Sequence, residues 1–436
     1  MTKRLISIPF FLLRTTTAGA ALLTGLLQTY VFAHVLSPHR FSIFILVAAF
    51  GYSLWLIDFG IVKILFVRLR ARFLAGDRSP AVAGHATAVV LFYFSLVTSG
   101  ALVCFIFMTQ TGATLREAAE FGLFFWFVAL NLVWFALRNI SIAVDEFVLF
   151  EALETVRRAG YFIGLALVLA GLPLIAMLLA LNALWAVVVT LCVRRMIARG
   201  ALLPHATGFL ADFAAFFRAN KAQLVRSGTY AASEIYCANY PFVIVPVLFG
   251  LGAPPIILDT TFKVFRGGAT IFGAVCDILV PRQTSALAER DGPTLVRATL
   301  AAAALCSVPA AVVCAILYFA ADKLFAVLLG TAATMPPAAT PILIVLLIAN
   351  LAQMVAHSVL VHNGYFKEVA RIGMGVVTAM TGVGALAVVA HFDIVQFLEG
   401  YVAVYACGAA IAVVLMIRGP IRLAHQVTGL PQVASR

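Results

Sequence analysis

The sequence predicts an all-α, polytopic membrane protein: about 12 transmembrane helices in two six-helix lobes around a central cavity. Three observations predict it. First, 63% of the 436 residues are hydrophobic and only 11% are charged, and the mean hydropathy is +1.06, a balance outside that of soluble globular domains. Second, the apolar runs are continuous over roughly 20 residues rather than alternating, which fits spanning helices and excludes a β-barrel. Third, the basic residues fall on alternate sides of those runs.

The elements follow in order. Spans are expected over Pro9–Ala33, Phe41–Val62, His85–Met108 and Phe121–Ile142, with a basic stretch Lys63–Arg78 after the second. Lys3 and Arg4 before an apolar run resemble a signal peptide, but Arg14 interrupts the run and many spans follow, so an uncleaved first helix is expected. Asp145–Arg158 reads as an amphipathic cytoplasmic piece. The run Gly160–Val193 is flanked by Arg157-Arg158 and Arg194-Arg195, so it must cross an even number of times; Gly171-Leu172-Pro173 marks the break between two short helices. In Arg194–Arg226, Phe209, Phe213, Phe216 and Phe217 repeat at helical spacing and predict an amphipathic surface helix joining the halves. Six more spans follow: Ser227–Phe249, Ile256–Val280, Thr294–Ala320, Pro341–Val361, Ile372–His391 and Ile394–Ile417. The expected domains are residues 1–193 (amino-terminal lobe), 194–226 (linker), 227–417 (carboxy-terminal lobe) and 418–436 (cytoplasmic tail).

Of the 30 Lys and Arg residues, the outer loops receive only Arg40, Arg116 and Lys323. The spans hold Arg14, Arg138, Lys263 and Arg266, and the rest fall on the inner face. This orients both termini to the cytoplasm. It also explains the net charge of +12 as a membrane signature rather than a nucleic-acid one. The seven cysteines all lie in apolar runs without metal-ligand spacing and read as packing residues, with no disulfide and no metal.

Ile256–Pro281 carries the charge problem of the chain. At about 100° per residue, Asp259, Lys263, Arg266, Thr270 and Asp277 project within about 40° of one line. Charges at membrane depth face partners or a water-filled cavity. The stripe therefore reads as one wall of a path for an anionic substrate; the competing reading is a structural Asp259–Lys263 pair at i,i+4. No nucleotide-binding, nucleophilic or metal motif is present, so no enzyme activity and no cofactor is expected, and uphill work would draw on a proton or sodium gradient.

The loop Leu36-Ser37-Pro38-His39-Arg40-Phe41-Ser42, the pattern Leu56-Ile57-Asp58-Phe59-Gly60 and the turn Gly250-Leu251-Gly252 carry a resemblance. The chain resembles the polysaccharide-biosynthesis (Wzx-like) flippases, in the superfamily that also holds the MATE exporters and the lipid II flippases. It departs from their Leu-Gly-Pro-x-x-Phe-Gly loop in having Ser37 and Ser42 for the glycines, and Pro254-Pro255 where an aromatic is usual. The resemblance implies a MATE-like fold in a bacterial inner membrane. It further implies transfer of an undecaprenyl-pyrophosphate-linked oligosaccharide from the inner to the outer leaflet by alternating access, for cell-surface polysaccharide assembly. The expected partners are that lipid, membrane lipids and a polysaccharide polymerase or assembly machinery; the chain itself is expected to be a monomer.

On that reading Arg14, Arg138, Lys263 and Arg266 bind the pyrophosphate through forked or point-charge contacts. Asp58 holds Arg14 in place, the alternatives being a structural pair or a snorkelling arginine. Glu234, Asp259 and Asp277 carry a coupling ion or balance the cations. Asn350, Gln353 and His357 contact sugar hydroxyls or hydrogen-bond between helices. The alternatives are a multidrug/cation antiporter, which needs acids rather than arginines, a lipid II flippase, which commonly has two extra helices, and a membrane-embedded polymerase or ligase, which needs a larger outer loop.

Overall fold

The structure, a computed structural model, describes residues 8–77, 80–204, 208–289, 291–362 and 365–421. Among them every regular element is a helix. In chain order these are α1 (Ile8–Val35), α2 (Pro38–Ser53), a 3-10 turn (Leu54–Asp58), α3 (Ile61–Leu74), α4 (Pro80–Gln110), α5 (Leu115–Ala129), α6 (Asn131–Ala143) and α7 (Phe147–Leu169). They continue with α8 (Leu174–Ala198), α9 (Phe209–Phe249), α10 (Ala253–Ala288), α11 (Gly292–Leu329), α12 (Ala339–His362), α13 (Phe366–Val389) and α14 (Ile394–Met416). Among the described residues, nine helical stretches are long and apolar enough to cross a membrane, α5 and α6 counting as one. A shorter apolar helical stretch, Gly19–Val35 of α1, adds to them.

The chain divides into two compact units. The first comprises Leu23–Pro246 and Leu251–Ile256; the second comprises Met1–Leu22, Val247–Gly250 and Ile257–Arg436. The first is built around Phe32, Phe41, Phe44, Phe124 and Trp185, all nearly inaccessible, with Phe44 crossing Phe124 edge-on at 5.1 Å. In the second, Phe272, Cys276, Ala302 and Cys306 form a buried cluster between α10 and α11. All seven cysteines are free thiols; Cys407 alone is exposed.

The resemblance-bearing loops have structural explanations. Ser37 caps α2 by accepting from the Arg40 amide at 3.3 Å. Ser42 is fully buried; its hydroxyl accepts from the Gly252 amide at 2.9 Å. The same hydroxyl has the Gly252 and Pro38 carbonyls at 2.8 and 2.9 Å to share its proton. A serine here ties together the two loops that follow the first helix of each half, which a glycine could not do. Ser42→Ala would leave the Gly252 amide without its acceptor. The expected cost is about 1–3 kcal/mol, read as a lower melting temperature of the purified protein in detergent.

In Asp58-Phe59-Gly60, Phe59 and Gly60 take left-handed backbone angles, φ 40 and 76. The buried Asp58 carboxylate accepts from the Gly60 and Val62 amides, both at 3.1 Å, and from the Tyr93 hydroxyl at 2.7 Å. It thereby satisfies amides at the start of α3. A Cβ on Gly228 would lie 2.6 Å from the Phe59 ring and 3.0 Å from the Phe59 carbonyl oxygen, so a glycine lets α9 pack tightly on this turn.

Two expected elements differ. Asp145–Arg158 is not a separate surface piece: nothing breaks the helix between Phe147 and Leu169, and Glu146, Glu151, Glu154 and Arg157 are buried. The break does fall at Gly171 (φ 101). The linker is likewise not an independent surface helix, because α9 runs unbroken from Phe209 through Pro241 and Pro246 to Phe249. Its aromatic stripe packs on α4: Phe213 stacks on Phe92 at 4.0 Å, Phe216 lies 5.5 Å from His85, and only Phe217 remains exposed.

Glu146, between α6 and α7, receives Arg195 at 2.9 Å and also Arg199. The Arg195 hydrogen bond, ahead of the opposing effect of burial, holds its carboxyl below the ordinary value of 4.5. A depressed folded value means this tether stabilises at pH above 4.5 and is lost as pH falls through the depressed value. Acid melting of the parent should therefore lose a contribution that Glu146→Gln lacks at every pH, and the two melting curves should converge on acidification.

Candidate functional site

The strongest candidate lies on α10 within the second unit. Asp259 is 8% exposed and pairs with Lys263, Oδ2 to Nζ 2.6 Å. One turn on, the Arg266 guanidinium lies over the Phe262 ring at 5.9 Å. One further turn on, Thr270 is exposed and its hydroxyl donates to the Arg266 carbonyl at 2.8 Å. Exposure thus rises along the stripe, from a buried acid through two half-buried cations to an open hydroxyl. Asp259 and Lys263 thus form an ion pair about one turn before Arg266.

The sequence around Arg266 explains how the helix is held. Gly267 and Gly268 follow it. A Cβ on Gly267 would meet Leu22 of α1 at 2.3 Å, and one on Gly268 would meet Leu347 of α12 at 2.9 Å. The glycine pair therefore lets α1 and α12 close on α10 beside the arginine. Aromatics of α14 hold another side, with Phe262–Tyr401 and Phe265–Tyr405 centroids both at 5.3 Å. Asn350 donates its side-chain amide to the Phe265 carbonyl at 3.2 Å, an interhelical bond that pins α12 to the backbone just before Arg266. Gln353 and His357 are half-buried farther along α12.

The side chains of Arg14 and Asp277 lie outside the described residues. Leu22 of α1, two helical turns after Arg14, does pack beside Arg266. Asp58 and Arg138 belong to the first unit; there Asp58 serves the α3 turn and Tyr93, while Arg138 approaches Glu151 at 4.0 Å. Glu234 is exposed on α9, also in the first unit. A cavity of about 580 Å³ is lined by Arg72, Phe73, Asp77 and Arg199 among others, none of them a predicted site residue. Among the described residues no cluster of His, Cys, Asp or Glu could hold a metal.

Sequence reasoning missed a charged network in the first unit. Glu154, 7% exposed, receives the Arg157 fork at 2.7 Å and Arg158 Nη2 at 2.6 Å. The Trp134 indole donates to it at 2.8 Å, and Arg157 also lies 4.5 Å from the Trp185 ring centre. The available signal was the spacing of Glu151, Glu154 and Arg158 at i, i+3 and i+7 on one helix face.

No protein-family profile matches the chain, and no curated protein matches it. Solved structures do. The chain resembles the eukaryotic MATE transporter AtDTX14, with TM-score 0.61 and 14% identity over 96% of this chain and 98% of that one. It also resembles an inward-facing multidrug resistance MATE family transporter of the MOP superfamily, with TM-score 0.62 and 12% identity over 96% and 100% of the two chains. A point mutant of the Vibrio cholerae MATE transporter VcmN gives TM-score 0.62 and 13% identity over 96% and 99%. At these identities the likeness establishes the fold: a MATE-like, multi-pass helical membrane architecture over nearly the whole chain.

Proposed function

We propose that this protein is a lipid-linked oligosaccharide flippase, carrying an undecaprenyl-pyrophosphate-bound sugar chain from the inner to the outer leaflet of a bacterial plasma membrane. It makes no covalent change to its substrate and works by alternating access, with both termini cytoplasmic. The fold supports transport, and the cationic stripe supports the substrate class. On α10 the buried acid is matched by Lys263 at 2.6 Å, and the half-buried Arg266 lies between that pair and the exposed Thr270. A planar guanidinium recognises phosphate oxygens through paired donors and repels a cationic drug.

The second reading is multidrug/cation antiport, favoured by the neighbours in fold, which include a multidrug resistance transporter. Binding separates the two. The full-length protein in lipid nanodiscs is expected to bind undecaprenyl-pyrophosphate-linked sugar, and prenyl diphosphate is expected to compete with it while ethidium does not. Ethidium binding without diphosphate binding would replace the first reading by the second.

A further inference from the structure

Two helices of the first unit end beside one another. Arg72, in the last turn of α3, donates from Nη1 to the Gly200 carbonyl just past α8, at 2.9 Å. Each helix is followed by a glycine in left-handed backbone, Gly76 at φ 66 and Gly200 at φ 69. Backbone amides close both ends. Gly76 and Asp77 donate to the Phe73 and Arg72 carbonyls at 3.2 and 3.1 Å, and Gly200 and Ala201 donate to those of Ile197 and Met196, both at 2.9 Å. A Cβ on Gly76 or Gly200 would meet nothing within 4 Å. The open space both glycines border is the cavity of about 580 Å³, within the roughly 300–1,000 Å³ of small-molecule sites.

The lining offers unused donors. Arg72 is half-buried, and among the described residues the bond to Gly200 is its one side-chain hydrogen bond and it makes no ion pair. Its Nε is shut off from solvent without a hydrogen-bond partner. Arg199 is held through Nε on the Glu146 carboxylate, which also holds Arg195. Its side chain is 46% exposed, and among the described residues no hydrogen bond engages its two terminal nitrogens. Two guanidiniums, each pinned at one nitrogen, thus line one cavity with donors to spare, the arrangement that forks phosphate oxygens. Asp77 also lines the cavity; it is exposed, so water and salt screen its charge more than that of Arg72. The carbonyls at the two helix ends already accept bonds, so the lining is one of donors rather than an oxygen set for a cation. Leu69, Phe73 and Val144 add apolar wall.

The location agrees with a membrane anion. The cavity lies at the end of the basic stretch Lys63–Arg78, which the distribution of Lys and Arg assigns to the inner face. Basic pockets at that face attract anionic headgroups. We propose that this cavity binds the glycerol phosphate headgroup of an anionic lipid through Arg72 and Arg199. Soluble glycerol phosphate presents the same chemistry, and the test separates the two sources. The site lies within the first unit and stands whichever cargo the protein carries.

The test is native mass spectrometry of the full-length protein in detergent, titrated with phosphatidylglycerol, with phosphatidylcholine or with glycerol 3-phosphate. Phosphatidylglycerol is expected to bind more tightly than phosphatidylcholine. Arg72→Gln, whose amide can still donate to Gly200, is expected to raise the Kd for phosphatidylglycerol about tenfold or more, as loss of a charge-assisted contact implies. Arg72→Lys serves if the glutamine variant does not fold; it is expected to bind several-fold more weakly because a point charge replaces the fork. Lys367→Gln, which removes an exposed charge at the start of α13, is expected to bind as the parent does. Glycerol 3-phosphate binding as tightly as the lipid, with the same loss in Arg72→Gln, supports the site and makes a soluble phosphate its source. Parental binding of phosphatidylglycerol in Arg72→Lys and in any folded Arg72→Gln overturns the proposal. An equal loss in Lys367→Gln overturns it too, because general surface charge then explains the binding. So does phosphatidylcholine bound as tightly as phosphatidylglycerol with no binding of glycerol 3-phosphate.

Discussion

Glu154→Ala is expected to be the most damaging single change in the first unit, costing about 3–5 kcal/mol. That is a large part of the stability of most proteins. The carboxylate receives Arg157 through two bonds, Arg158 through one and Trp134 through one. Removing it leaves two guanidiniums side by side and an indole N–H without its acceptor. The penalty comes from those stranded groups rather than from the lost attraction. Glu154→Gln should be milder, because the amide oxygen still accepts from Trp134 while the charge balance is lost. The check is the amount of monodisperse protein recovered in detergent and its melting temperature: near-zero recovery for alanine, reduced recovery for glutamine. Parent-like melting of the alanine variant would mean that this network carries no structural weight.

Arg266→Ala is expected to have the opposite signature, lost transport with preserved fold. The guanidinium is half-buried, and its contact with the Phe262 ring at 5.9 Å is worth roughly 0.5–1 kcal/mol at such a site. The backbone beside it is held by other residues, through the Gly267–Leu22 and Gly268–Leu347 approaches and the Asn350 bond to Phe265. A charge-assisted contact to a diphosphate contributes about 1.5–3 kcal/mol, so substrate affinity should fall roughly ten- to a hundred-fold. Complementation of a flippase-deficient strain should fail at parental membrane abundance. Normal complementation would remove Arg266 from the substrate path.

Where the sequence was legible, local chemistry decided the outcome. Gly171-Leu172-Pro173 marked a real break because a left-handed glycine followed by proline cannot continue a helix. The charge stripe on α10 was readable because helical periodicity alone places Asp259, Lys263 and Arg266 on one side. What escaped depended on tertiary partners. Asp-x-Gly at Asp58 looked like a charge for a cation, and the bonds of its carboxylate to the amides that start α3 and to Tyr93 were not legible. The segment Asp145–Arg158 looked solvated because it holds several charges. Trp134 and Trp185, on neighbouring helices, make burial of Glu154 and Arg157 affordable, and nothing local announces them. The Phe213 stripe signalled an apolar face correctly, but periodicity does not say whether such a face meets lipid or, as here, Phe92.

The most direct test of the account is transport itself. The purified protein would be reconstituted into proteoliposomes with fluorescent undecaprenyl-pyrophosphate sugar, and arrival in the opposite leaflet followed by an impermeant quencher, with ethidium efflux measured in the same vesicles. The account predicts protein-dependent arrival of the lipid-linked sugar, diminished by Arg266→Ala, and no ethidium efflux. Ethidium efflux without movement of the lipid-linked sugar would contradict it.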